Sequence, residues 1–172
     1  MKTRIVTFSL AAIIFTAPVF ADHNRTDEQG RKQGHWTEYH GSLVIEGTYV
    51  NGKKHGQWVI RQPGDFVSEG EFVNDKPHGH WVERYDDGRV DEGTFEYGKK
   101  HGYWTIRYPD GKVAKGLYVS GKEQGNWFIR FPDGSFMSGP MVDGKEHGKW
   151  VWRHTDGSDS NLCWYKGNRV DC

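Results

Sequence analysis

Histidine is the residue type in this sequence best suited to bind a metal, and it recurs at one position of an internal repeat. That position holds histidine four times and glutamine twice, at His55, His78, His101, His147, Gln33 and Gln124. If each repeat supplies two strands, successive repeats lie roughly 9–10 Å apart, whereas zinc needs ligand nitrogens at about 2.0–2.1 Å. Neighbouring histidines of this column therefore cannot share a zinc ion. We expect turn residues at these positions, with neither a metal nor another cofactor.

Carboxylates that could serve general acid and base chemistry occur in pairs, but each pair lies in a predicted turn. Asp86 adjoins Asp87, and Asp156 lies shortly before Asp159. Aspartate is favoured in turns for its local hydrogen bonds alone. The sequence also lacks a Gly-x-Ser-x-Gly nucleophile elbow and a Gly-x4-Gly-Lys-Ser/Thr phosphate loop. We therefore expect a protein that is not an enzyme.

Tryptophan and glycine repeat together along the chain at a period close to 23 residues. The tryptophans are spaced by 22, 23, 23, 23 and 23 residues, at Trp36, Trp58, Trp81, Trp104, Trp127 and Trp150. Each follows a glycine by two positions, and a second glycine recurs once per unit, at 47, 70, 93, 116 and 139. A period in the twenties indicates a stacked repeat array. The chain is therefore predicted to form one elongated array over residues 30–167.

One unit has the pattern of a β-hairpin. Trp104, Ile106 and Tyr108 alternate with polar residues, as expected for a strand. Residues 109–111, Pro-Asp-Gly, fit a three-residue hairpin loop that ends on a glycine with positive φ, and residues 113–119 form the returning strand. Strong helix formers are scarce after position 21, where one alanine and three leucines remain. We predict an all-β, elongated, single-layer antiparallel β-meander of about six 23-residue hairpin repeats, with about twelve strands.

The tryptophans and the aromatic residues that follow each second glycine are predicted to share one face of the sheet. Counting back from the turn places Trp104 opposite Gly116 and, across the next connection, Tyr118 about opposite Trp127. An aromatic ring over a cross-strand glycine covers otherwise bare backbone, and exposed rows of such rings are typical of protein-binding surfaces. The candidate binding ridge consists of Trp36, Trp58, Trp81, Trp104, Trp127, Trp150, Tyr49, Phe72, Phe95 and Tyr118. The alternative is that these rings only cover the glycines of their own chain.

The opposite face is predicted to carry an arginine in each of five repeats. These arginines are Arg61, Arg84, Arg107, Arg130 and Arg153. Glu46, Glu69 and Glu92 lie on the returning strands of the same face. Two interpretations remain open: a solvated face of ion pairs, or a basic stripe that binds a ligand.

The N-terminus has the features of a secretory signal peptide. Lys2 and Arg4 precede an apolar run that ends at Ala21, with small residues suited to cleavage. The run is shorter than the roughly 20 residues of a membrane-spanning helix. We predict a signal peptide over residues 1–21, a disordered linker over residues 22–29, and export to the periplasm or beyond the cell.

Both cysteines of the chain lie near its C-terminus. A bridge between Cys163 and Cys172 would cap the last edge of the array with residues 168–172, and an exported protein meets an oxidising compartment. A bridge to a second chain is the alternative. The N-terminal edge, which starts at Trp36, is predicted to be the less protected of the two edges and to mediate any self-association.

The repeat resembles the MORN (membrane occupation and recognition nexus) family over residues 30–167. The resemblance rests on the Asp-Gly that closes four of the six hairpins and on Glu92-Gly93-Thr-Phe95-Glu-Tyr-Gly98-Lys99-Lys-His101-Gly102. It implies a twisted, single-layer β-rod in a protein that scaffolds, dimerises or binds partners. Tryptophan replaces the family's second glycine, and Ser68, Asp91 and Ala114 replace an aromatic residue. This form is more similar to bacterial, antitoxin-like members, and the departures argue against the binding of membrane lipid.

The charge of the chain is balanced, with 23 basic and 23 acidic residues. Loss of the signal peptide removes two of the basic residues, so the chain lacks the basic excess that nucleic-acid binding requires. We expect an exported, non-enzymatic scaffold that binds a protein partner or forms a homodimer. A cell-wall or carbohydrate-binding module is the alternative, because aromatic rings also stack on the sugar rings of a glycan. The family resemblance adds a third function, that of a toxin-neutralising immunity protein.

Overall fold

The computed structural model describes residues 23–64 and 66–172 of the chain. These residues contain no helix and form one antiparallel sheet of fifteen strands. The strands are β1 (Arg25–Thr26), β2 (Lys32–His40), β3 (Leu43–Val50), β4 (Lys53–Gln62), β5 (Phe66–Val73), β6 (Lys76–Tyr85), β7 (Val90–Glu96), β8 (Lys99–Arg107), β9 (Val113–Val119), β10 (Lys122–Arg130), β11 (Phe136–Val142), β12 (Lys145–Glu146), β13 (Gly148–Arg153), β14 (Asp159–Tyr165) and β15 (Asn168–Val170). The predicted signal peptide, residues 1–21, lies outside the described residues.

The sheet is an open meander in which the strands follow one another in chain order. Six hairpins are formed by twelve strands, β2 to β11 together with β13 and β14. The repeat predicts this number of strands. Three short strands add to them: β1 and β15 lie at the two ends, and β12 pairs with β11. The predicted all-β, single-layer antiparallel meander is confirmed.

The predicted hairpin loop closes the strand that carries Trp104. The Tyr108 N–H donates to the Lys112 carbonyl at 2.9 Å, and the Gly111 N–H donates to the Tyr108 carbonyl at 3.0 Å. Gly111 has a φ of 86°, which residues with a side chain rarely adopt. The Asp110 carboxylate accepts the Lys112 N–H at 2.9 Å. The aspartate therefore stabilises the turn, in agreement with the turn chemistry predicted from the sequence.

A bulge of two residues interrupts the ladder in front of the tryptophan. Gly47 of β3 pairs with Trp58, but the next residue, Thr48, pairs with His55, so two residues of β4 have no partner on β3. The first of these, Gly56, has a φ of 69°. The same register shift recurs in front of Trp81, Trp104 and Trp127. Bulges of this kind bend the strand that contains them.

The bulges explain why one predicted cross-strand pair is right and another is wrong. Trp104 pairs with Gly116, as predicted, because the ladder between β8 and β9 is regular. Tyr118 was predicted opposite Trp127 but pairs with Glu123, because the bulge intervenes between β9 and β10. Sequence periodicity alone does not reveal a bulge, since the column pattern is the same on both sides of it.

Residues that were predicted to form a disordered linker contribute an N-terminal cap instead. Strand β1 pairs with Lys32 and Gln33 of β2. The Asn24 N–H donates to the His35 carbonyl at 2.8 Å, and the Asn24 side chain accepts the Thr37 N–H at 3.0 Å. The first part of the β2 edge is thus already hydrogen-bonded. The N-terminal edge is thus partly covered, and its role as the less protected edge that mediates self-association stays a prediction.

The C-terminal end is closed by the predicted disulfide between Cys163 and Cys172. Cys163 pairs with Val170 of β15, so the bridge and the last strand reinforce each other. Leu162 pairs with Trp150 at the position where earlier repeats have their second glycine. A leucine side chain fills the space that a further tryptophan ring would need. The bridge within one chain is therefore the form present, and the array ends at this point.

Candidate functional site

On one face of the sheet, which we call the inner face, the predicted aromatic ridge forms a continuous line of ring contacts. Neighbouring rings meet edge to face with centroids 5.0–6.0 Å apart. Contacts of this geometry stabilise a fold beyond the area that they bury. In order along the sheet, the rings belong to Trp36, Tyr49, Trp58, Phe72, Trp81, Phe95, Trp104, Tyr118 and Trp127.

This aromatic line is the hydrophobic core of the protein. Trp58 and Trp104 are each only 1% exposed. Eight of the ten residues of the predicted ridge are buried, and the other two, Trp36 and Phe95, are partly buried. The ridge is therefore buried and not an exposed binding surface, in agreement with the alternative that its rings cover glycines of their own chain.

From the second repeat on, the ring of the repeat tryptophan lies over the second glycine of the preceding hairpin. A Cβ atom at Gly93 would overlap the indole ring of Trp104. Trp104 was predicted to cover Gly116, with which it pairs, but its ring covers Gly93 on the other side. The same arrangement brings the next tryptophan over each of the equivalent glycines, Gly47, Gly70, Gly116 and Gly139. Each repeat after the first thus packs its tryptophan onto the repeat before it.

The indole N–H favours tryptophan over phenylalanine in five of the six repeats, the exception being Trp127, whose Nε1 is buried without a hydrogen-bond partner. The Trp58 Nε1 donates to the Thr48 carbonyl at 3.2 Å and to the His55 carbonyl at 3.3 Å. These two residues flank the bulge, where the ladder is interrupted. The ring therefore covers the glycine while its N–H compensates for the hydrogen bonds that the bulge removes. Glycine, bulge and tryptophan form a single packing device.

Lysine side chains cover part of the aromatic line from the solvent side. The Lys54 Nζ lies 4.7 Å from the ring centroid of Trp58, and the Lys100 Nζ lies 3.9 Å from that of Trp104. These are cation–π distances. Burial lowers the pKa of Lys54. The lysines complete the core with their apolar stems, a role that long charged side chains commonly have.

An ionic cluster that the sequence analysis missed lies beside the aromatic line. The Lys100 Nζ lies 3.0 Å from a Glu83 oxygen and 3.3 Å from an Asp91 oxygen. Asp91, which is 3% exposed, also pairs with Arg89 at 3.0 Å. The Tyr85 hydroxyl donates to Glu83 at 3.3 Å. Each carboxylate faces a cation, so the cluster is a set of internal ion pairs and not an acid–base pair open to a substrate.

The sequence did contain a signal for this cluster. Asp91 and its neighbour Ser68 depart from the apolar residues at the equivalent positions, Ile45 and Met137. A buried Asp at such a position needs a cation, because an unpaired carboxylate is costly to bury. The partners of Asp91 follow only from the strand register, which the sequence alone does not give.

A second inner-face carboxylate, Glu38, is held by three donors near the N-terminal end. Lys32 donates to it at 2.6 Å, Tyr49 at 2.7 Å and His40 at 3.2 Å. Burial alone would raise the pKa of Glu38, but these hydrogen bonds outweigh it and lower the pKa to about 2. Burial and the bond to Glu38 raise the pKa of the Tyr49 hydroxyl. The group is therefore ionised at neutral pH and serves to stabilise the first repeat.

Four of the five predicted arginines form ion pairs on the opposite face, which we call the outer face. Arg61 lies 3.4 Å from Glu46, and Arg107 lies 2.9 Å from Glu92. The other two pairs are Arg84 with Glu69 and Arg153 with Asp159. The interpretation as a solvated, ion-paired face applies to these four arginines. Exposed pairs of this kind contribute little stability.

Arg130 is the exception, and its surroundings differ from those of the other arginines. Lys115 occupies the position that Glu46, Glu69 and Glu92 occupy in earlier repeats. Among residues 23–64 and 66–172, neither Arg130 nor Lys115 forms an ion pair. A hollow of about 340 Å³ opens here, lined by Arg107, Val113, Lys115, Phe128 and Arg130. This part of the outer face is the candidate binding site of the molecule.

The histidine column is dispersed along the edge of the sheet. His101 lies 3.4 Å from Glu96, while His78 and His147 lie beside the rings of Tyr97 and Tyr165. No group of three or more His, Cys, Asp or Glu is placed to hold a metal ion in the part of the chain that the structure describes. The same residues include no helix that is long and apolar enough to cross a membrane.

Comparison with known proteins assigns neither a family nor a function to this chain. No protein family model matches the chain, and no curated protein matches its sequence.

Proposed function

We propose that this chain is an exported MORN-type repeat scaffold that binds a protein partner over the outer face of its sheet. The observation that supports this proposal is the burial of the aromatic line. Because the inner-face rings cover one another, the outer face is the broad surface that remains available to another molecule. That face exposes Tyr103 and Phe128, with 77% and 40% of their surfaces accessible. Aromatic and arginine side chains are the usual anchors of protein interfaces.

The disulfide supports the exported location. A bridge between Cys163 and Cys172 is compatible with an oxidising compartment. The predicted signal peptide of residues 1–21 gives the route by which the chain would reach such a compartment. Release of the mature protein into the periplasm or the medium is part of the proposal.

The described carboxylates support a non-enzymatic role. Asp110, Asp133 and Asp156 accept backbone N–H groups within their own turns. Glu83 and Asp91 are bound by internal cations. A catalytic carboxylate must instead be within reach of a substrate. We propose that the chain acts by holding partners rather than by chemistry.

Photocrosslinking in the native envelope tests the proposed function. A photoreactive phenylalanine analogue replaces Thr105 on the outer face and, as a control, Tyr97, which is 73% exposed in a turn at the sheet edge. We expect a discrete protein adduct from position 105 and none from position 97. Adducts from position 97 alone would contradict outer-face binding. A glycan that co-purifies without any protein adduct would favour the carbohydrate-binding alternative.

A further inference from the structure

The repeats of this protein provide their own internal control. Residues at equivalent positions have the same backbone environment, so a side chain that the packing does not require stands out by comparison with its counterparts. At the tryptophan position of the inner face the residue type does not vary, and Trp58, Trp81, Trp104, Trp127 and Trp150 are all buried. On the outer face, three positions change together at strands β8 to β10.

The first change reverses a charge. Glu46, Glu69 and Glu92 are followed at the next equivalent position by Lys115. In the earlier repeats the glutamate pairs with the arginine of the next hairpin, as Glu92 does with Arg107 at 2.9 Å. Lys115 cannot pair with Arg130 in this way. Two cations therefore face the solvent side by side.

The other two changes introduce exposed aromatic rings. Phe128 takes the position of Val59 and Val82, and Tyr103 takes that of His80. Phe128 pairs directly with Lys115 across β9 and β10, and its ring lies 5.1 Å from that of Phe136. We call Tyr103, Lys115, Phe128 and Arg130 the outer patch.

The charge of the surrounding repeats changes in the same direction. Residues 99–130 contain seven Lys and Arg but two Asp and Glu, whereas residues 66–98 contain three Lys and Arg but nine Asp and Glu. The outer patch thus lies in the most basic part of a chain that is neutral as a whole. A local field of this kind steers anionic groups toward the site.

We infer that the outer patch binds an extended, acidic segment of a protein partner, an inference that rests on the outer-face binding proposed above. Arg130 offers a planar fork that matches a carboxylate, and Lys115 offers a second cation beside it. Val113 and Phe128 provide an apolar floor to the same hollow. In an extended segment, side chains alternate between two sides. Residues two positions apart lie on the same side, so an acidic residue and an apolar residue at positions i and i+2 would reach the cations and the floor together.

Binding of two labelled peptides to the full mature chain tests this inference. One dodecapeptide repeats Glu-Ser-Leu-Ser, so that glutamate and leucine share one side of the extended chain, and the other has serine in place of each leucine. We expect the leucine peptide to bind more tightly, and we expect its affinity to fall with rising salt because the contact is partly ionic. Fluorescence anisotropy measures both. Equal affinities of the two peptides would overturn the role of the apolar floor.

Lys115→Glu is the decisive variant because it restores the residue type of the other repeats. The new carboxylate is expected to pair with Arg130 as Glu92 pairs with Arg107, so the chain should fold normally. We expect the affinity for the leucine peptide to fall by about tenfold or more, the factor expected for loss of one charged contact. Lys149→Glu, which makes the same charge change elsewhere on the sheet, is the matched control. Equal losses in the two variants would show non-specific attraction and would overturn the inference.

Phe128→Val is the second variant, since valine occupies the equivalent positions 59 and 82. We expect it to weaken binding of the leucine peptide and to leave that of the serine peptide unchanged. Binding of polygalacturonate in preference to both peptides would overturn the inference in favour of an acidic glycan. If the envelope partner is captured at position 105 and the yield of that adduct is unchanged by Lys115→Glu, the proposed function stands and the acidic-segment inference fails.

Discussion

Tyr103 and Trp104 are neighbours in β8, yet they face opposite sides of the same sheet. Tyr103 is 77% exposed, whereas Trp104 is 1% exposed. The indole of Trp104 covers Gly93, donates to the Thr94 carbonyl at 3.0 Å, and meets the rings of Phe95 and Tyr118. One residue therefore joins two repeats, and the other meets solvent.

The two faces also differ in how much the repeats vary. The inner position holds tryptophan in all six repeats, while the outer position next to it holds Gln57, His80, Tyr103 and Asn126 in successive repeats. A nearest-neighbour array depends on similar contacts between units, so the tryptophan that joins one repeat to the next must recur. The outer face is free of that demand. Differences between repeats on the outer face are therefore the place to look for function.

Truncation of these two neighbours should give the largest contrast. We expect Trp104→Ala to cost about 3–5 kcal/mol in the free energy of unfolding, because it removes a buried ring and its contacts with the rings on both sides. Tyr103→Ala should stay within about 0.5 kcal/mol. Urea denaturation followed by circular dichroism measures both. A similar cost for the two variants would mean that the outer ring also serves the packing.

The next largest contrast in the free energy of unfolding is between a glycine that a tryptophan ring covers and a glycine that has a positive φ. Gly93→Ala places a Cβ in the Trp104 ring and should cost about 3 kcal/mol, at the upper end of overpacking. Gly102→Ala meets no atom within 4 Å, but its φ of 72° makes the change costly by about 1 kcal/mol. Thermal unfolding of both variants tests this order. If Gly102→Ala proved the more costly, backbone strain at the bulge would outweigh the ring contact.

Much of this fold could be predicted from the sequence, because the repeat period, the Asp-Gly turns and the Trp104–Gly116 pair depend on local pattern. The bulge in front of each tryptophan could not, since Gly56 looks the same whether it continues a ladder or interrupts one. That omission had consequences for the site. Without the bulge there was no reason to expect Trp58 to reach two backbone carbonyls, and the ridge was predicted to be exposed.

The candidate site was harder to predict than the fold. Arg130 was recognised as one of five equivalent arginines, but its difference from them depends on Lys115, which no motif identifies. The cluster around Lys100 was missed for a related reason. Its acids, Glu83 and Asp91, are separated in the sequence and become neighbours only through the register of β6 and β7.

The contribution of a carboxylate to stability should depend on pH on the inner face and hardly at all on the outer face. The pKa of Glu38 is lowered to about 2, below the value near 4.5 that it has when unfolded. A lowered pKa stabilises the folded state above the unfolded value, and that stabilisation is lost as the pH falls toward 2. We expect Glu38→Gln to cost about 2 kcal/mol at neutral pH and almost nothing near pH 2.

The matched outer-face variant for this measurement is Glu46→Gln. Glu46 is exposed over 38% of its side chain and pairs with Arg61 at 3.4 Å. Its removal should change the free energy of unfolding by less than about 1 kcal/mol at any pH. Urea titrations across the pH range compare the two. A pH-independent cost of Glu38→Gln would show that its hydrogen bonds, and not its charge, stabilise the first repeat.

The smallest expected effect lies within the outer face and distinguishes its paired arginines from Arg130. Arg84 contacts Glu69, so Arg84→Ala should cost about 0.5 kcal/mol at low salt and less at high salt, where exposed pairs are screened. Arg130→Ala removes no ion pair and should leave the melting temperature unchanged at either salt concentration. Scanning calorimetry at the two salt concentrations makes the comparison. If Arg130→Ala lowered the melting temperature as much as Arg84→Ala does, Arg130 would be a structural residue, and its exposure beside Lys115 would no longer indicate a binding site.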